Sequence, residues 1–196
     1  LAEGVNKQTQ QGLTVHALAG DITEQATAEA LVSTALERYG DLHIVVNNAG
    51  YIWNSAAVKH TDEQWQAMLD VHATGPFRLL REAGHHFRRQ ASTDPPGKLR
   101  KVVNISSISG IYGAATQVAY SSAKAAVVGM TKTLAREWGR YHVTVNCVAF
   151  GYIDTRLIEP FEDQPNRVTI KDRDHPVGLT AAQRESAREM AALGRL

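Results

Sequence analysis

Residues 42–50 read Leu-His-Ile-Val-Val-Asn-Asn-Ala-Gly, and this stretch decides the fold. The apolar run from Leu42 to Val46 is typical of a strand that is buried on both faces of a parallel sheet. The run ends in Asn47-Asn48-Ala49-Gly50, whose residue types favour a turn. In open α/β sheets ligands bind outside the carboxyl ends of the strands, so this turn is the first candidate for a binding site.

Strands and helices alternate on both sides of this stretch. Apolar runs predict four strands, at 13–18, 42–46, 101–106 and 143–148. Helical spacing of the apolar residues predicts helices over 24–39, from the capping box at 61–64 onward, over 118–140 and over 180–193. This alternation predicts right-handed βαβ units in a Rossmann-like α/β fold, a doubly wound parallel sheet with three αβα layers.

Composition narrows the classes of function. The chain has 196 residues, 43% hydrophobic and 21% charged, with a net charge of +1, which fits one domain and argues against a nucleic-acid partner. No apolar run approaches the ~20 residues needed to span a bilayer, so we expect no membrane partner. The single cysteine, Cys147, suits a reducing cytoplasm. Adjacent His85 and His86 would point about 100° apart on a helix and chelate poorly, so we expect no metal.

Three clusters of chemistry-bearing residues follow the predicted strands. Besides the turn at 47–50, Ser106-Ser107 ends one strand, where a hydroxyl can donate to a substrate oxygen. Tyr120 and Lys124 are four residues apart, so they share a helix face, and a nearby ammonium favours the phenolate. Each cluster alone also fits a plain explanation: a tight turn, a serine-rich loop that bonds its own backbone, or a chance Tyr-x-x-x-Lys.

The order and spacing of these clusters are specific. Asn-Asn-Ala-Gly at 47–50, then Ser107 thirteen residues before Tyr120, then Lys124 four residues later, resembles the short-chain dehydrogenase/reductase family. The resemblance covers about 13–155 and is nearest to the branch of 3-oxoacyl-acyl carrier protein reductases. It implies a dinucleotide-binding oxidoreductase domain that transfers hydride between NAD or NADP and a ketone or secondary alcohol. A 3-oxoacyl thioester is the leading small-molecule substrate.

The resemblance also implies residue roles. Tyr120 would exchange a proton with the substrate oxygen, Ser107 would polarise that oxygen, and Lys124 would hold the nicotinamide ribose and lower the pKa of Tyr120. The remaining cofactor contacts would come from Asp21 and Ile22 at the adenine, from Asn48, Ala49 and Gly50 along the adenosine and ribose, and from Ile153 and Thr155 at the carboxamide.

The sequence departs from the family at one helix position. His72 stands where the family has an asparagine that holds a water in its proton relay. One interpretation is that His72 replaces that asparagine, since histidine can do proton work near neutral pH. The other is that His72 is a packed, hydrogen-bonded side chain and the relay is lost.

The family pattern extends beyond both ends of the sequence. We therefore expect 1–196 to be a single, partial domain, truncated at both ends, that lacks the first βαβ portion and the last strand. Residues 159–178 are polar and contain proline, which predicts a mobile substrate loop. The resemblance implies a cytoplasmic homodimer or homotetramer. The alternative hypothesis is a catalytically silent or truncated relative that acts only through subunit association.

Overall fold

The computed structural model describes residues 15–155, 166–170, 173–191 and 194. The helices are α1 Gln25–Tyr39, α2 Asp62–Leu69, α3 Gly75–Gln90, α4 Ser109–Tyr112, α5 Val118–Trp138 and α6 Ala181–Met190. The strands are β1 Ile44–Asn47, β2 Arg100–Ser107, β3 Val143–Phe150, β4 Asn166–Ile170 and β5 Arg173–Val177. One π-helical segment, Asp70–Thr74, joins α2 to α3.

The main sheet has the order β1-β2-β3, and both pairings are parallel. The register places Asn47, Asn104 and Cys147 side by side, so the carboxyl ends of the three strands lie at one edge. The predicted Rossmann-like α/β fold, with a parallel sheet and flanking helices, is thereby confirmed.

One face of the sheet carries the core. Val45, Val102 and Val145 point to this face, and the helices cover it with Val32 of α1, with Leu80, Ala83 and Phe87 of α3, and with Trp138 of α5. On the opposite face Ile44 and Val46 are 55% and 56% exposed. The prediction that this strand is buried on both faces is therefore wrong for the described structure. The apolar run gives a strand, but α1, α3 and α5 all pack on the same side of it.

Local signals at the helix ends are confirmed. The hydroxyl of Thr61 accepts the N–H of Gln64 at 3.2 Å, and the side-chain oxygen of Gln64 accepts the N–H of Thr61 at 2.9 Å, as a capping box requires. Gly40 ends α1 in the left-handed conformation, with φ of 76°. None of the described helices is both long and apolar enough to cross a membrane.

Two segments differ from their predictions. Residues 15–18 are irregular, although a strand was predicted at 13–18, of which 13 and 14 lie outside the described residues. A strand requires a hydrogen-bonded neighbour. In the described sheet β1 is an edge strand, and residues 15–18 do not pair with it. Within 159–178, β4 and β5 form an antiparallel pair. Residues 159–165 and 171–172 lie outside the described residues, and the mobility of this loop stays a prediction.

A buried ion cluster closes the opposite edge of the sheet. Arg100 begins β2 and is 1% exposed, and its guanidinium contacts both carboxylate oxygens of Asp41 at 3.1 Å and also pairs with Asp94. Lys98 and His86 donate to Asp41 at 2.6 and 2.7 Å. Burial acts to raise the pKa of Asp41, but hydrogen bonds from Lys98, His86 and Arg100 outweigh it and hold that pKa well below 3.8.

We expect Arg100→Met to lower the free energy of unfolding by about 3–5 kcal/mol, because it removes a buried guanidinium from both Asp41 and Asp94 and leaves the Asp94 carboxylate paired with Lys98, at 3.2 Å. The folded pKa of Asp41 lies below the unfolded one, so its stabilisation is complete above about pH 4 and is lost as the pH falls below that value. Urea unfolding at several pH values should show this acid loss in the wild type and less of it in Arg100→Met. The exposed neighbour Lys101→Met is the control, and an equal effect of both variants would contradict the prediction.

Candidate active site

The carboxyl ends of β1, β2 and β3 open onto one cavity of about 380 Å³. The three turns that the sequence singled out meet there. They contribute Asn48 and Gly50 after β1, Ser106 and Ser107 at the end of β2, and Phe150 and Gly151 at the end of β3.

Helix α5 carries Tyr120 and Lys124 into this cavity, one turn apart. The ammonium of Lys124 lies 5.6 Å from the centroid of the Tyr120 ring and donates to the carbonyl oxygen of Ile105 at 2.8 Å. The side chain of Ser107 acts to lower the pKa of the Tyr120 phenol, and its hydroxyl oxygen accepts the N–H of Ser109 at 3.1 Å. The structure thus brings together the three side chains that the spacing had grouped.

Burial controls the protonation of this group. It raises the pKa of Tyr120, and the hydrogen bond from Ser107 only partly opposes this effect. Burial also lowers the pKa of Lys124 to about 8, against a smaller effect of Cys147. The prediction of a lowered pKa for Tyr120 is therefore wrong in direction, because loss of hydration outweighs the favourable contacts. At neutral pH the phenol keeps its proton and most Lys124 is charged.

His72 lies on the π-helical segment beside Tyr120 and is 3% exposed. Its Nε2 lies 2.7 Å from the carbonyl oxygen of Tyr51, so this nitrogen carries the proton and donates. The ring meets the Tyr120 ring edge to face at 5.1 Å, while Nδ1 is buried and has no hydrogen-bond partner among the described residues. Burial, with a smaller repulsion from Lys124, lowers the pKa of His72 to about 3, so the imidazole is neutral at physiological pH.

Gly50 makes room for this imidazole. A Cβ at position 50 would lie 2.2 Å from Cε1 of His72 and 2.8 Å from its Nδ1, closer than atoms can approach. The glycine of the Asn-Asn-Ala-Gly turn is therefore required by a side chain of another element, and its place in a turn is only part of the reason for it.

The remaining predicted cofactor residues divide between two cavities. Ile153 and Thr155 line the first, while Ile22 and Ala49 line a second cavity of about 170 Å³, and Asn48 lines both. Asp21 lines neither cavity. Its carboxylate accepts the N–H and the hydroxyl of Thr23, both at 2.8 Å, in the turn before α1. The two cavities are adjacent, since they share Asn48, and both are lined mainly by apolar surface.

Several residues that line the first cavity were not predicted from the sequence. Gln117 is buried, and its position three residues before Tyr120, on the same helix face, is a signal that could have identified it. Apolar walls come from Ile52, Ile108 and Leu179. Gly178, from the predicted substrate loop, also lines the cavity.

Comparison with known proteins agrees with this geometry. Residues 1–166 match the family model described as short chain dehydrogenase. The chain is 30% identical over 150 residues to a 3-oxoacyl-[acyl-carrier-protein] reductase of Thermotoga maritima. It is 39% identical over 133 residues to the hydroxyacyl-CoA dehydrogenase ChsB1 of Mycobacterium tuberculosis. A crystal structure of a short chain dehydrogenase from Mycobacterium avium superposes with a TM-score of 0.69 at 31% identity.

These matches cover most of this chain but only part of each relative. They span 76% of this chain and 58% of the Thermotoga protein, and 67% of this chain and 42% of the Mycobacterium tuberculosis protein. The structural match spans 76% of this chain and 49% of the Mycobacterium avium chain.

We expect Gly50→Ala to lower the free energy of unfolding by about 1–3 kcal/mol, because the added methyl group collides with His72. His72→Asn has a shorter side chain, so the double variant should recover most of this loss, which a double-mutant cycle of thermal and urea unfolding measures. Gly151→Ala is the control, since the nearest atom that its Cβ would meet within residues 15–155 belongs to Ile108, at 3.9 Å. Additive effects of Gly50→Ala and His72→Asn would refute the close contact.

Proposed function

We propose, since the chain belongs to the short-chain dehydrogenase family, that it is an NAD(P)-dependent oxidoreductase acting on a ketone or a secondary alcohol. The observation that supports this proposal most directly is the meeting of Ser107, Tyr120 and Lys124 at one cavity at the carboxyl edge of the sheet. The cofactor would be NAD or NADP, and Asn48, Gly50, Ile153 and Thr155, which all line that cavity, would hold it.

Tyr120 is the proton donor in the reductive direction. Its raised pKa keeps the phenol protonated until a carbonyl oxygen gains negative charge beside it. The Ser107 hydroxyl holds that oxygen and polarises the carbonyl, and Tyr120 then passes its proton to the oxygen. A bound nicotinamide supplies the hydride in reduction and accepts it in oxidation. In the oxidative direction the Tyr120 phenolate takes the proton of the alcohol.

Lys124 stabilises the phenolate that Tyr120 leaves behind. Its ammonium lies near the ring and is held there by the carbonyl of Ile105, which accepts one of its three N–H groups. The other two N–H groups remain for the ribose hydroxyls of a cofactor. Because the pKa of Lys124 is about 8, this stabilisation weakens as the pH rises through that value.

The leading substrate is a 3-oxoacyl thioester. Two similar proteins carry names that describe acyl-thioester chemistry, a 3-oxoacyl-[acyl-carrier-protein] reductase and a hydroxyacyl-CoA dehydrogenase. The apolar walls formed by Ile52, Ile108 and Leu179 suit an acyl chain beside the reacting carbonyl.

We expect Tyr120→Phe to lower kcat by about 10²–10⁴-fold, because it removes only the ionisable oxygen. The measurement is oxidation of NADH and of NADPH with acetoacetyl thioesters by the complete protein, together with a thermal melt that should change little. Tyr112→Phe, at an exposed tyrosine, is the control. Activity of Tyr120→Phe within about threefold of the wild type would reject the assigned donor. No turnover by the wild type with either cofactor would favour a role in subunit association alone.

His72 takes the place of the family's relay asparagine in this proposal. Its Nδ1 has no partner in the part of the chain that the structure describes, so it can accept a hydrogen bond. Its ring lies against Tyr120, and the charge of Lys124 acts on it. A neutral imidazole with Nε2 protonated therefore offers an acceptor for a water that passes protons toward Lys124. The competing explanation is that His72 only fills space.

We expect His72→Asn to keep most turnover, since an amide also accepts a hydrogen bond, and His72→Phe to lose more than about tenfold. The folded pKa of about 3 lies below the unfolded value near 6.5, so the wild type loses stability as the pH falls from 6.5 toward 3. Unfolding experiments should show a loss of about 2 kcal/mol between pH 6.5 and 5 that is absent in His72→Asn. Equal turnover of His72→Asn and His72→Phe would leave His72 as a packing residue.

A further inference from the structure

Helix α5 is fastened to β2 by side chains that the proposed reaction does not use. Asn104 is 0% exposed, and its Nδ2 donates to the hydroxyl oxygen of Thr131 at 2.9 Å. Ser106 is 2% exposed, and its hydroxyl donates to the backbone carbonyl of Lys124 at 2.8 Å. We call the trio Asn104, Ser106 and Thr131 the α5 clamp.

The spacing of the clamp fixes the helix against both sliding and rotation. Asn104 and Ser106 are two residues apart on β2, so they point to the same face about 7 Å from each other. Their partners Lys124 and Thr131 are seven residues apart, which is about two turns of helix. One hydrogen bond would fix a single point of α5 on β2, whereas two hydrogen bonds on different turns also fix its orientation.

The clamp extends to the neighbouring elements. The side-chain amide of Asn47, at the end of β1, donates to the side-chain oxygen of Asn104 at 2.8 Å. From the other side α4 packs against Lys124 at Gly110, where a Cβ would lie 2.7 Å from the Lys124 backbone carbon and Cβ. The backbone of Lys124 is therefore held between β2 and α4.

We propose that Asn104, Ser106 and Thr131 are positioning residues that hold α5 at one position along β2. This position brings the side chains of Lys124 and Tyr120 into the cavity. This inference rests on the proposed function for its kinetic consequences. Ile105 lies between Asn104 and Ser106, so the Lys124 ammonium can donate to its carbonyl only while α5 keeps this position along β2. A misplacement on the order of 1 Å at a reacting group can cost about 10²-fold in rate.

The hydroxyl of Thr131 allows a conservative test. It accepts from Asn104 and donates to the carbonyl of Val127 at 2.8 Å. Thr133 on the same helix is exposed, and its hydroxyl donates to the carbonyl of Gly129 at 3.1 Å. Thr131→Val removes the link to β2, Thr131→Ser keeps it, and Thr133→Val is the matched control. Ser106→Ala provides a second break of the clamp if Thr131→Val does not fold.

Two readouts on the complete protein separate the inference from the proposed function. The first is the pKa of Lys124, obtained from the pH dependence of its acylation by mass spectrometry, which needs no turnover. The groups that face this amine are Tyr120 on α5, His72 on the π-helical segment and Cys147 on β3. The second is the division of the kinetic effect between kcat and KM.

We expect Thr131→Val to move the Lys124 pKa from about 8 toward 10.5, as the amine loses its buried place, and to lower kcat about tenfold or more with little change in KM. Thr131→Ser and Thr133→Val should match the wild type. A folded Thr131→Val with wild-type Lys124 pKa and kcat would overturn the inference. If the wild type reduces no carbonyl substrate, the proposed function fails, and the Lys124 pKa alone decides whether the clamp positions this residue.

Discussion

Parallel pairing of β2 with both of its neighbours is the constraint on which the rest of the structure depends. Parallel strands cannot be joined by a tight turn, so the chain must cross the sheet between them, and α3 and α5 make those crossings. Right-handed crossovers in one direction place both helices on one face. The amino ends of β1, β2 and β3 therefore lie at one edge of the sheet, with Arg100 and its carboxylates, and their carboxyl ends lie at the other edge, where the cavity opens.

The cavity favours neutral forms of the titratable groups along its wall. Burial raises the pKa of Tyr120 and lowers those of Lys124 and His72, so each group is pushed toward its uncharged state. Polar contacts inside such a wall are little screened by water, and any charge that develops there is felt strongly by its neighbours. A bound ligand that develops negative charge on an oxygen would thus lie beside the protonated phenol of Tyr120 and near the ammonium of Lys124.

The sequence was sufficient for features that depend on neighbours along the chain. The capping box at Thr61, the strand at 42–46 and the helix that carries Tyr120 and Lys124 follow from spacing alone, and the spacing of Ser107 to Tyr120 grouped residues that do meet. Features that depend on three-dimensional neighbours were not accessible. Ile44 and Val46 are exposed because α1, α3 and α5 all pack on the other face of the sheet. The pKa direction of Tyr120 reflects its burial, and the partner of Thr131 lies 27 residues earlier in the chain.

The contact between Gly50 and His72 also orders the changes that this sequence can accept over evolutionary time. A larger residue at position 50 is destabilising while an imidazole occupies the space beside it. A shorter side chain at position 72 leaves that space open and is compatible with glycine at position 50. A path that changes position 72 before position 50 therefore avoids the less stable intermediate that the reverse order passes through. The histidine thus narrows the mutational paths open to a loop that lies 22 positions earlier in the chain.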